Sequence, residues 1–572
     1  MARTWTRRDF LRSVSIGAGT MLMAACGAPA APAPTPGQAG APATAPAATT
    51  APAATTAPAA TTAPAAEGLP IVKEPLTLTY WTGISGNVAA TLKSYNDMSC
   101  YRELEKRTGI HIDFQHPPLD PAQRDEQFNL MIASGKYPDI IETNWLTFPG
   151  GPAKALRDGV IVRLNDLIDQ HAPNLKRVLD EHPDWRKQIV TDEGDIYCFP
   201  FLRGDPFLLV FSGPVVRKDW LDKAGLSMPT TIDEWQTMLR SLKGKDLNGN
   251  GKDDEWPFTP WLDTTVLRAF GEHAFIGAWG ITTGFYQVNG KVHYGPLQPE
   301  YKEFLKTIVQ WYNDKLIDPD VVTMDQKAFD AKVTGGQSGS MIMRSGSGIG
   351  KFMGLMRDKD PNFKLVGAPY PTLKPGDKPI LGQRDNVYPG PTSAAITTAN
   401  KHVIETVKWL DYGYSEAGHM LFNFGVEGLS YTMVNGYPKY TDLVMKNPQG
   451  LPVAQAMAQH CRANFGGPFV QDKRYGEQYG SLPEQREAVQ IWSQPTNERL
   501  MPPVTPTQEE SRRFGKIMTD VDTRYQEVFA KVLTGAQPLD SWDGFVNELK
   551  GMGIDEAVQI QQAALERYNK RP

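Results

Sequence analysis

The sequence predicts an α/β protein built from more than one lobe, and both its length and its pattern of strands and helices indicate this. A chain of 572 residues, 41% hydrophobic and 10% aromatic, can bury more than one sizeable core. At about 100–200 residues per domain, it should hold two large lobes or three smaller domains. Where the folded part begins, strand and helix patterns alternate, which is typical of a parallel sheet covered by helices.

The first 26 residues predict an export signal that ends in an anchor. Arg7 and Arg8 open a twin-arginine pattern, and the weakly apolar run over residues 14–25 is too short to span a bilayer. Residues 23–26 resemble a bacterial lipobox, which would make Cys26 the lipidated first residue of the mature protein. The alternative is a plain signal peptide in which this cysteine is incidental. Two or three acyl chains would anchor the protein durably on the outer face of the cytoplasmic membrane.

Residues 27–66 predict a disordered linker. They are almost entirely Ala, Pro, Thr and Gly, with the repeat PAATTA, and such a composition cannot bury enough apolar surface to fold. Prolines keep the segment extended, so it could hold the body up to about 100 Å from the membrane.

Charge and cysteine content narrow the function classes further. With 59 Lys and Arg against 64 Asp and Glu, the formal net charge is −5, so no basic field exists to recruit nucleic acid. No run of 18 apolar residues follows the signal, so we expect no membrane-spanning helix. Lipidation of Cys26 would leave Cys100, Cys198 and Cys461, among which at most one disulfide can form.

The first section of the body shows a βαβαβ order, which requires right-handed crossovers and gives a parallel sheet. Ligands of such sheets bind beyond the carboxyl ends of the strands, where this chain places Trp81, Asn144 and Trp145. A tryptophan just past a strand is commonly a packing residue, but two at neighbouring strand ends make ligand binding a real alternative. The five segments are residues 76–80, 100–108, 110–114, 121–134 and 138–141.

The second section adds further helices and strands. Thr231 and Glu234 form a predicted capping box that opens a helix ending near residue 243. The last 35 residues are predicted to be helical with a break at Gly551 and Gly553. Other predicted elements are a helix over residues 301–316 and strands over residues 339–343, 364–368 and 393–396.

Residues 246–255, DLNGNGKDDE, match a calcium-binding loop. Ligand residues stand at positions 1, 3, 5, 7 and 9, and Gly251 at position 6 allows the sharp turn. Pro257 occupies position 12, where a bidentate glutamate is expected, so Glu255 would have to complete the shell. The alternative is a solvated Asn-Gly turn. The predicted donors to a structural Ca²⁺ are Asp246, Asn248, Asn250, the carbonyl of Lys252, Asp254 and Glu255.

Easily recognised enzyme motifs are missing from the sequence. It has no Gly-x-Ser-x-Gly elbow, no His-Glu-x-x-His helix and no Cys-x-x-Cys pair. Residues 346–350 are glycine-rich but lack the Lys-Ser/Thr of a phosphate loop, so we interpret them as a strand-to-helix turn. Many aromatic residues lie near Gly and Pro turns, and flat rings stack on the apolar faces of sugars. No pair of carboxylates is marked by its context, although a glycosidase would need one.

Taken together, several stretches resemble the bacterial extracellular solute-binding proteins (family 1) of carbohydrate ABC importers, in particular lipoproteins similar to alginate-oligosaccharide-binding proteins. The resemblance covers roughly residues 70–572. It implies a two-lobed periplasmic-binding-protein-like fold (type II), with discontinuous lobes joined by a hinge, and a structural calcium. The stretches are residues 211–222, 229–235, 246–255, 295–302, 425–428 and 542–568. We expect an N-terminal lobe of residues 67–202 and 365–430 and a C-terminal lobe of residues 203–364 and 431–572.

The same resemblance implies which residues bind ligand between the lobes. Glu427 is expected to accept bonds from sugar hydroxyls, and Arg344 and Arg384 would suit a carboxylated sugar or an interdomain ion pair. The expected ligand residues are Trp81, Asn144, Trp145, Arg203, Trp279, Arg344, Arg384 and Glu427.

We therefore predict a monomeric substrate-binding lipoprotein that captures a carbohydrate and presents it to the permease of an ABC importer. The carbohydrate is expected to be an oligosaccharide, with uronate units as one option, and the sequence does not identify the sugar. Closure of the lobes on the ligand would create the form that the permease recognises. The alternatives are a secreted polysaccharide-degrading enzyme and a surface adhesion protein.

Overall fold

The computed structural model describes residues 68–260 and 266–571, so the predicted signal, Cys26 and the linker lie outside the described residues. Within this part of the chain, no helix is both long and apolar enough to cross a membrane. The strands are β1 (Leu76–Thr82), β2 (Ile110–Gln115), β3 (Ile140–Thr143), β4 (Leu202–Arg203), β5 (Ser212–Arg217), β6 (Phe285–Val288), β7 (Lys291–Tyr294), β8 (Ser340–Arg344), β9 (Leu365–Gly367), β10 (Ser393–Ile396), β11 (Tyr431–Val434), β12 (Tyr437–Tyr440) and β13 (Val470–Gln471).

The α-helices are concentrated between and around these strands. They are α1 (Gly86–Ala89), α2 (Ser99–Thr108), α3 (Pro121–Ser134), α4 (Gly151–Arg157), α5 (Asn165–His171), α6 (Pro173–Glu181), α7 (Pro183–Ile189), α8 (Lys218–Ala224), α9 (Ile232–Leu242), α10 (Val266–Phe270), α11 (Pro299–Asn313), α12 (Gln326–Thr334), α13 (Lys351–Met356), α14 (Val403–Asp411), α15 (Glu416–Phe424), α16 (Asp442–Met445), α17 (Val453–Ala458), α18 (Lys473–Tyr479), α19 (Pro483–Trp492), α20 (Gln508–Leu533), α21 (Trp542–Gly551) and α22 (Ile554–Lys570).

The first lobe is organised by a four-stranded sheet of order β10-β3-β1-β2. Strand β1 pairs in parallel with β2 and with β3, and β10 joins the β3 edge antiparallel. Helices α2 and α3 are the crossovers, so the predicted βαβαβ order is confirmed. Strand β2 alternates buried and exposed residues along IHIDFQ, which is the period-2 pattern of a strand with one face on the core.

The second lobe is organised by a three-stranded antiparallel sheet of order β8-β5-β9. Every residue of β5 is buried, because helices pack on both faces. The indole of Trp492 in α19 donates to the carbonyls of Pro214 and Ala368 at 3.2 and 3.1 Å. A Cβ at Gly213 would lie 2.5 Å from this indole, so the close approach of helix and strand requires glycine there.

Each sheet has its own hydrophobic core, which gives the two-lobed α/β architecture that the sequence predicts. The first core draws on residues between 78 and 202 and again between 388 and 469. The core around α9 and α11 draws on residues between 216 and 368 and on α20 and α21. The predicted capping box is present, since Thr231 and Glu234 accept each other's backbone N–H bonds at 3.2 Å. The predicted C-terminal break separates α21 from α22.

Two of the expected lobe boundaries differ from the packing. Residues 365–367 were expected in the first lobe, yet β9 pairs with β5 in the second sheet. Residues beyond 430 were expected in the second lobe, yet Arg462 bonds to Glu142 of β3 and the carbonyl of Gln459 accepts the Ser99 N–H. The chain instead crosses between the lobes at residues 385–388 and at β13, which pairs in parallel with β4. These crossings are short extended segments with no hydrophobic period to mark them.

The three described cysteines are free and buried. Burial raises the pKa of both Cys198 and Cys461 to about 12, and it also raises the pKa of Cys100. Such thiols carry almost no thiolate at neutral pH and are inert. The single disulfide that the sequence allowed is not formed among them.

A buried ion pair joins the returning segment to the first sheet. The guanidinium of Arg462 donates to both carboxylate oxygens of Glu142 at 2.7 and 3.0 Å, and the two side chains are 0% and 2% exposed. The hydroxyls of Tyr80 and Tyr101 complete the network at 2.7 Å each. Burial and the nearby Glu142 carboxylate raise the pKa of Tyr80 well above its ordinary value, so this hydroxyl remains a donor.

We expect Glu142→Ala to lower the free energy of unfolding by about 3–5 kcal/mol, because it leaves a buried guanidinium without its counterion. The double variant Glu142→Leu with Arg462→Met removes both charges and should lose less than the single variant. Urea unfolding followed by tryptophan fluorescence measures both. Equal losses in the two variants would show that the charge pairing is not what holds this segment.

Candidate ligand-binding cleft

A cleft of about 690 Å³ lies between the two lobes and is lined by residues from both. Six aromatic side chains, four arginines and several amides face it, while Asp385 is the one carboxylate among its described lining residues. The aromatic residues are Phe201, Phe207, Phe211, Phe465, Tyr475 and Tyr479. The arginines are Arg203, Arg344, Arg384 and Arg486, and the amides are Asn87, Asn386, Asn464, Gln471 and Gln485.

The paired strands β4 and β13 run along the base of the cleft. Arg203 and Gln471 are register partners, and both line the cleft. The Arg203 backbone N–H also donates to the carbonyl of Val387 at 2.9 Å, so the crossing segments are bonded side by side. Each paired strand has only two residues, which makes this ladder a short connection between two large bodies.

Gln383 fixes the second-lobe wall. This side chain is 4% exposed, and its amide oxygen accepts the backbone N–H groups of Phe211 and Ser212 at 2.8 and 3.3 Å. Its amide nitrogen donates to the carbonyl of Leu209 at 3.2 Å. Because Ser212 is the register partner of Arg344 in the second sheet, Gln383 holds the segment bearing Arg384 beside the end of β8.

Aromatic rings form much of both walls. Tyr475 and Tyr479 of α18 stack with ring centroids 5.9 Å apart. A Cβ at Gly346 would lie 2.5 Å from the Tyr479 ring, so the turn after β8 can touch this ring only as glycine. On the first-lobe wall, Phe465 stacks on Tyr95 with centroids 5.6 Å apart and lies 5.3 Å from the guanidinium of Arg462. Flat, fixed rings of this kind suit ligands that have flat apolar faces.

Two polar atoms of the lining residues lack partners. Nε of Arg203 and Oδ1 of Asn464 are buried and make no hydrogen bond with the residues that the structure describes. A buried polar group without a partner costs about 1–3 kcal/mol, so a ligand or water that satisfies it is favoured. The Nδ2 of Asn464 donates to the carbonyl of Ala454 at 2.9 Å, which fixes the amide orientation.

Three of the eight expected ligand residues line the cleft: Arg203, Arg344 and Arg384. Arg203 pairs with Asp385 at 2.8 Å, and its guanidinium lies 5.3 Å from the Phe211 ring centroid. Arg344 ends β8, and Arg384 directly precedes the crossing segment of residues 385–388.

The other five expected ligand residues lie outside the described lining of the cleft, contrary to expectation. Trp145 is fully buried against Phe148 and Phe128, Trp81 is 7% exposed and packs on Phe128, and Trp279 packs edge-on against Phe304. Asn144 caps the short helix that begins at Trp145, and Glu427 is exposed outside the cleft. Trp81 lies within β1, Trp145 follows β3 and Trp279 ends a 3-10 helix, and each of the three rings packs against a phenylalanine.

The cleft residues that sequence reasoning missed lie mostly in irregular segments. Asn464 and Phe465 follow α17, Phe207 lies in a short 3-10 turn over Pro206–Leu209, and Phe211 follows that turn. Phe201 is one of the aromatic residues near Gly and Pro turns that the sequence offers for sugar stacking, but nothing local distinguishes the others. The glycine-rich residues 346–350 form the predicted turn between β8 and α13, and Gly346 lines the cleft.

The predicted calcium loop is wound around Asp246. Its carboxylate accepts the backbone N–H groups of Gly249, Asn250 and Gly251 at 2.7 to 3.0 Å. Gly249 and Gly251 both have φ of 77°, which glycine adopts without strain. A hydrogen bond from Asn250 lowers the pKa of Asp254. The loop is not part of the cleft lining.

Glu255 closes the loop through hydrogen bonds from the loop's backbone. Its Oε1 accepts the N–H groups of Leu247 and Asn248, and Oε2 accepts that of Asp254, so only Oε2 keeps a free lone pair for a cation. In the part of the chain that the structure describes, no three His, Cys, Asp or Glu side chains could hold a metal by themselves. The predicted ligands that are not carboxylates are the side-chain amides of Asn248 and Asn250 and the carbonyl of Lys252, whose oxygens suit Ca²⁺.

Comparisons with known proteins agree with this architecture. The family described as bacterial extracellular solute-binding protein matches residues 90–420. The chain is 27% identical over 527 residues to the fructooligosaccharide ABC transporter substrate-binding protein FusA of Streptococcus pneumoniae serotype 4 (strain ATCC BAA-334 / TIGR4), covering 87% of this chain and 91% of FusA. It is 27% identical over 365 residues to the lipoprotein LipO of Bacillus subtilis (strain 168), covering 63% of this chain and 68% of LipO.

Among solved structures, the alginate-binding protein AlgQ2, crystallised without calcium ion, superposes with a TM-score of 0.70 at 27% identity. The superposition covers 87% of this chain and 99% of AlgQ2. The two-lobed fold is therefore of the periplasmic-binding-protein type that the sequence predicts.

Proposed function

Because the chain belongs to the bacterial extracellular solute-binding protein family, we propose that it is the substrate-binding component of an ABC importer and captures an oligosaccharide between its lobes. The observation that carries this proposal is the cleft itself, where fixed aromatic rings and amides from both lobes face one space of about 690 Å³. This volume is in the range of ligand sites for small molecules. Rings offer stacking faces to sugars, and amides offer partners for hydroxyl groups.

In this proposal, the protein captures its ligand by closing the two lobes around it. A ligand that touches Phe465 on one wall and Phe207 on the other favours the closed arrangement, because only that arrangement makes both contacts. The short β4–β13 ladder and the neighbouring crossing at residues 385–388 are the hinge in this proposal. The closed form is the state that permease subunits in the membrane recognise, and the protein acts as a monomer.

The scarcity of carboxylates among the described lining residues favours a binding function over hydrolysis. A glycosidase needs two carboxylates on either side of the scissile bond. Among the described lining residues, Asp385 is the one carboxylate, and it forms an ion pair with Arg203. A general acid and a general base are therefore not offered by the residues described around this space.

We expect the body to bind oligosaccharides and leave them intact. Phe207→Ala and Phe465→Ala, one on each wall, should each weaken binding about tenfold because a stacking face is lost. Trp145→Phe is the control, since this side chain is buried outside the cleft. Thermal shifts against a sugar panel, followed by calorimetry on the hits, measure the effect. Release of reducing ends from any polysaccharide would favour the enzyme, and no response to any sugar would contradict the proposal.

A structural calcium is the second part of the proposal. Asp246, Asn248, Asn250, Asp254 and the carbonyl of Lys252 would hold the ion, with Glu255 offering one oxygen. When bound, the ion would neutralise the negative charge of the loop and fix it against the Asn248–Gly336 and Asp254–Gln337 hydrogen bonds. Calcium then stabilises the second lobe and does not contact the sugar.

Millimolar calcium should raise the melting temperature of the folded body, because a ligand at 100 times its dissociation constant adds about 2.7 kcal/mol of stability. Asp246→Ala should abolish this calcium-dependent shift. The matched control is Asp253→Ala, which removes an equal charge from the same loop at a position that donates no predicted ligand. Differential scanning calorimetry with and without a chelator measures the shifts. A shift that survives Asp246→Ala would place the ion elsewhere.

Export and anchoring form the third part of the proposal. We propose that the twin-arginine pair, Arg7 and Arg8, directs export and that Cys26 carries the lipid anchor. Cys26→Ala should move the protein from the membrane fraction to the soluble fraction. Arg7→Lys with Arg8→Lys should leave precursor inside the cell. Cell fractionation and mass analysis of the N-terminus measure both. A wild-type protein free in the medium and without lipid would contradict the anchor.

A further inference from the structure

A second cavity lies beside the hinge, and we propose that it is a regulatory site for a mono- or disaccharide whose binding favours closure of the lobes. The proposal rests on the proposed function, to which it adds regulation of oligosaccharide capture. The cavity is an open groove of about 410 Å³, at the lower end of the range for small-molecule sites. This hinge groove is walled by α6 and α7 with Trp185, by α15 with Glu416, and by Gly204 and Val470 of the hinge.

The β4–β13 ladder separates the hinge groove from the cleft. Neighbouring residues of a strand point to opposite faces of a ladder. Arg203 and Gln471 are register partners that line the cleft, whereas the adjoining Gly204 and Val470 line the groove. A Cβ at Gly204 would lie 2.7 Å from Cγ1 of Val470, so the two crossings touch on this face. One short ladder is therefore shared by both cavities.

The two sides of the hinge groove are attached to different parts of the hinge. Helix α15 is bound to β13, because the Asn423 amide donates to the carbonyl of Val470 and accepts the N–H of Asp472, both at 2.9 Å. Nε2 of His419 in the same helix lies 2.8 Å from the Asp472 carboxylate. Gly204, in contrast, leads directly into the second lobe. Bending at the ladder therefore moves Gly204 relative to α15, and closure of the cleft on one face of the ladder widens the groove on the other.

The hinge groove offers the surfaces that a sugar unit needs. Trp185 and His182 stack in parallel, with ring centroids 3.7 Å apart and planes 8° apart, and both line the groove. Flat rings of this kind pack on the apolar face of a pyranose. Glu416 is exposed at the start of α15, and its carboxylate makes no hydrogen bond or ion pair with the residues that the structure describes. It is therefore free to accept hydroxyl groups of a ligand.

The charges around the hinge groove favour an uncharged ligand. Arg177 and Glu181 of α6 pair with each other at 3.1 Å. An anionic ligand would meet the carboxylate of Glu416, and a cationic ligand would meet the guanidinium of Arg177. Hydroxyl groups suit both, because they donate to a carboxylate and accept from a guanidinium. A mono- or disaccharide combines such groups with the flat faces that the stacked rings require.

Occupancy of the hinge groove is coupled to the cleft through the ladder. A sugar unit inserted between Gly204 and α15 keeps these two walls apart, so it binds the widened groove of the closed form best. The closed form is also the one that holds an oligosaccharide in the cleft. Because such coupling is reciprocal, each ligand raises the affinity of the other by the same factor.

Calorimetry on the folded body tests both binding and coupling. The probes for the hinge groove are glucose, galactose, mannose, fructose, sucrose and lactose, and the cleft is titrated with the oligosaccharide that gives the largest thermal shift in the sugar panel. At least one probe should bind, and its presence should tighten oligosaccharide binding about fivefold or more. In the reverse titration, the oligosaccharide should tighten binding of the probe by the same factor.

Variants at Glu416 show where the probe binds. Glu416→Ala should weaken binding of the probe about tenfold, because a charged hydrogen-bond acceptor is lost, and should remove the coupling. Glu126→Ala, at an exposed position of α3, removes the same charge outside the groove and should change neither quantity. Glu416→Trp fills the groove with a ring and should tighten oligosaccharide binding with no probe present. Melting curves without ligand verify that each variant is folded.

The contrary outcomes are distinct. Probe binding that survives Glu416→Ala but is lost in Phe207→Ala would place the probe in the cleft and overturn the regulatory site. Probe binding that leaves oligosaccharide affinity unchanged, wild-type oligosaccharide affinity in Glu416→Trp, or no binding of any probe also overturns it. All of these leave oligosaccharide capture standing, which fails only when no oligosaccharide binds the body.

Discussion

The buried pair between Glu142 and Arg462 is the interaction on which the first-lobe wall depends. It connects the end of a central strand to a segment more than 300 residues later in the chain, and two tyrosine hydroxyls add hydrogen bonds to it. Asn464 and Phe465 follow directly, and β13 begins five residues after Phe465. The wall, its stacking ring and the entry to the hinge are therefore positioned by one desolvated charge pair, which tolerates little displacement because neither partner can regain water.

The two lobes are rigid bodies, and the short segments between them are where the protein can bend. Each lobe has its own core, while the chain crosses between them in two-residue strands and short extended segments. Arg567 and Arg571 at the C-terminal end add ion pairs to Asp192 of the first lobe. Two residue pairs between β4 and β13 keep the two strands side by side but offer little resistance to bending of one lobe relative to the other. Ligand-facing side chains come mainly from the segments beside this connection, so a bound ligand contacts the chain close to the axis about which the lobes rotate.

Local patterns in the sequence were enough to predict the first sheet, the capping box of Thr231 and Glu234, and the break before Ile554. Those features depend on periodicity or on residues three apart. The predicted lobe boundaries were wrong because β9 belongs to the second lobe through its pairing with β5, and no local sequence pattern indicates that pairing. Trp145 failed as a ligand residue because Phe128 and Phe148 cover it, and Phe465 was missed because it lies in an irregular segment. Three arginines were placed in the cleft by resemblance rather than by pattern.

The inert cysteines have a practical consequence. Because all three described thiols are buried and their pKa values are raised, a thiol reagent finds no reactive partner on the folded body. A cysteine introduced at Ser347, an exposed position on the cleft, would be selectively labelled. An environment-sensitive dye attached there would report lobe closure as a change in emission, which would make the protein a reagentless optical sensor for its own ligand.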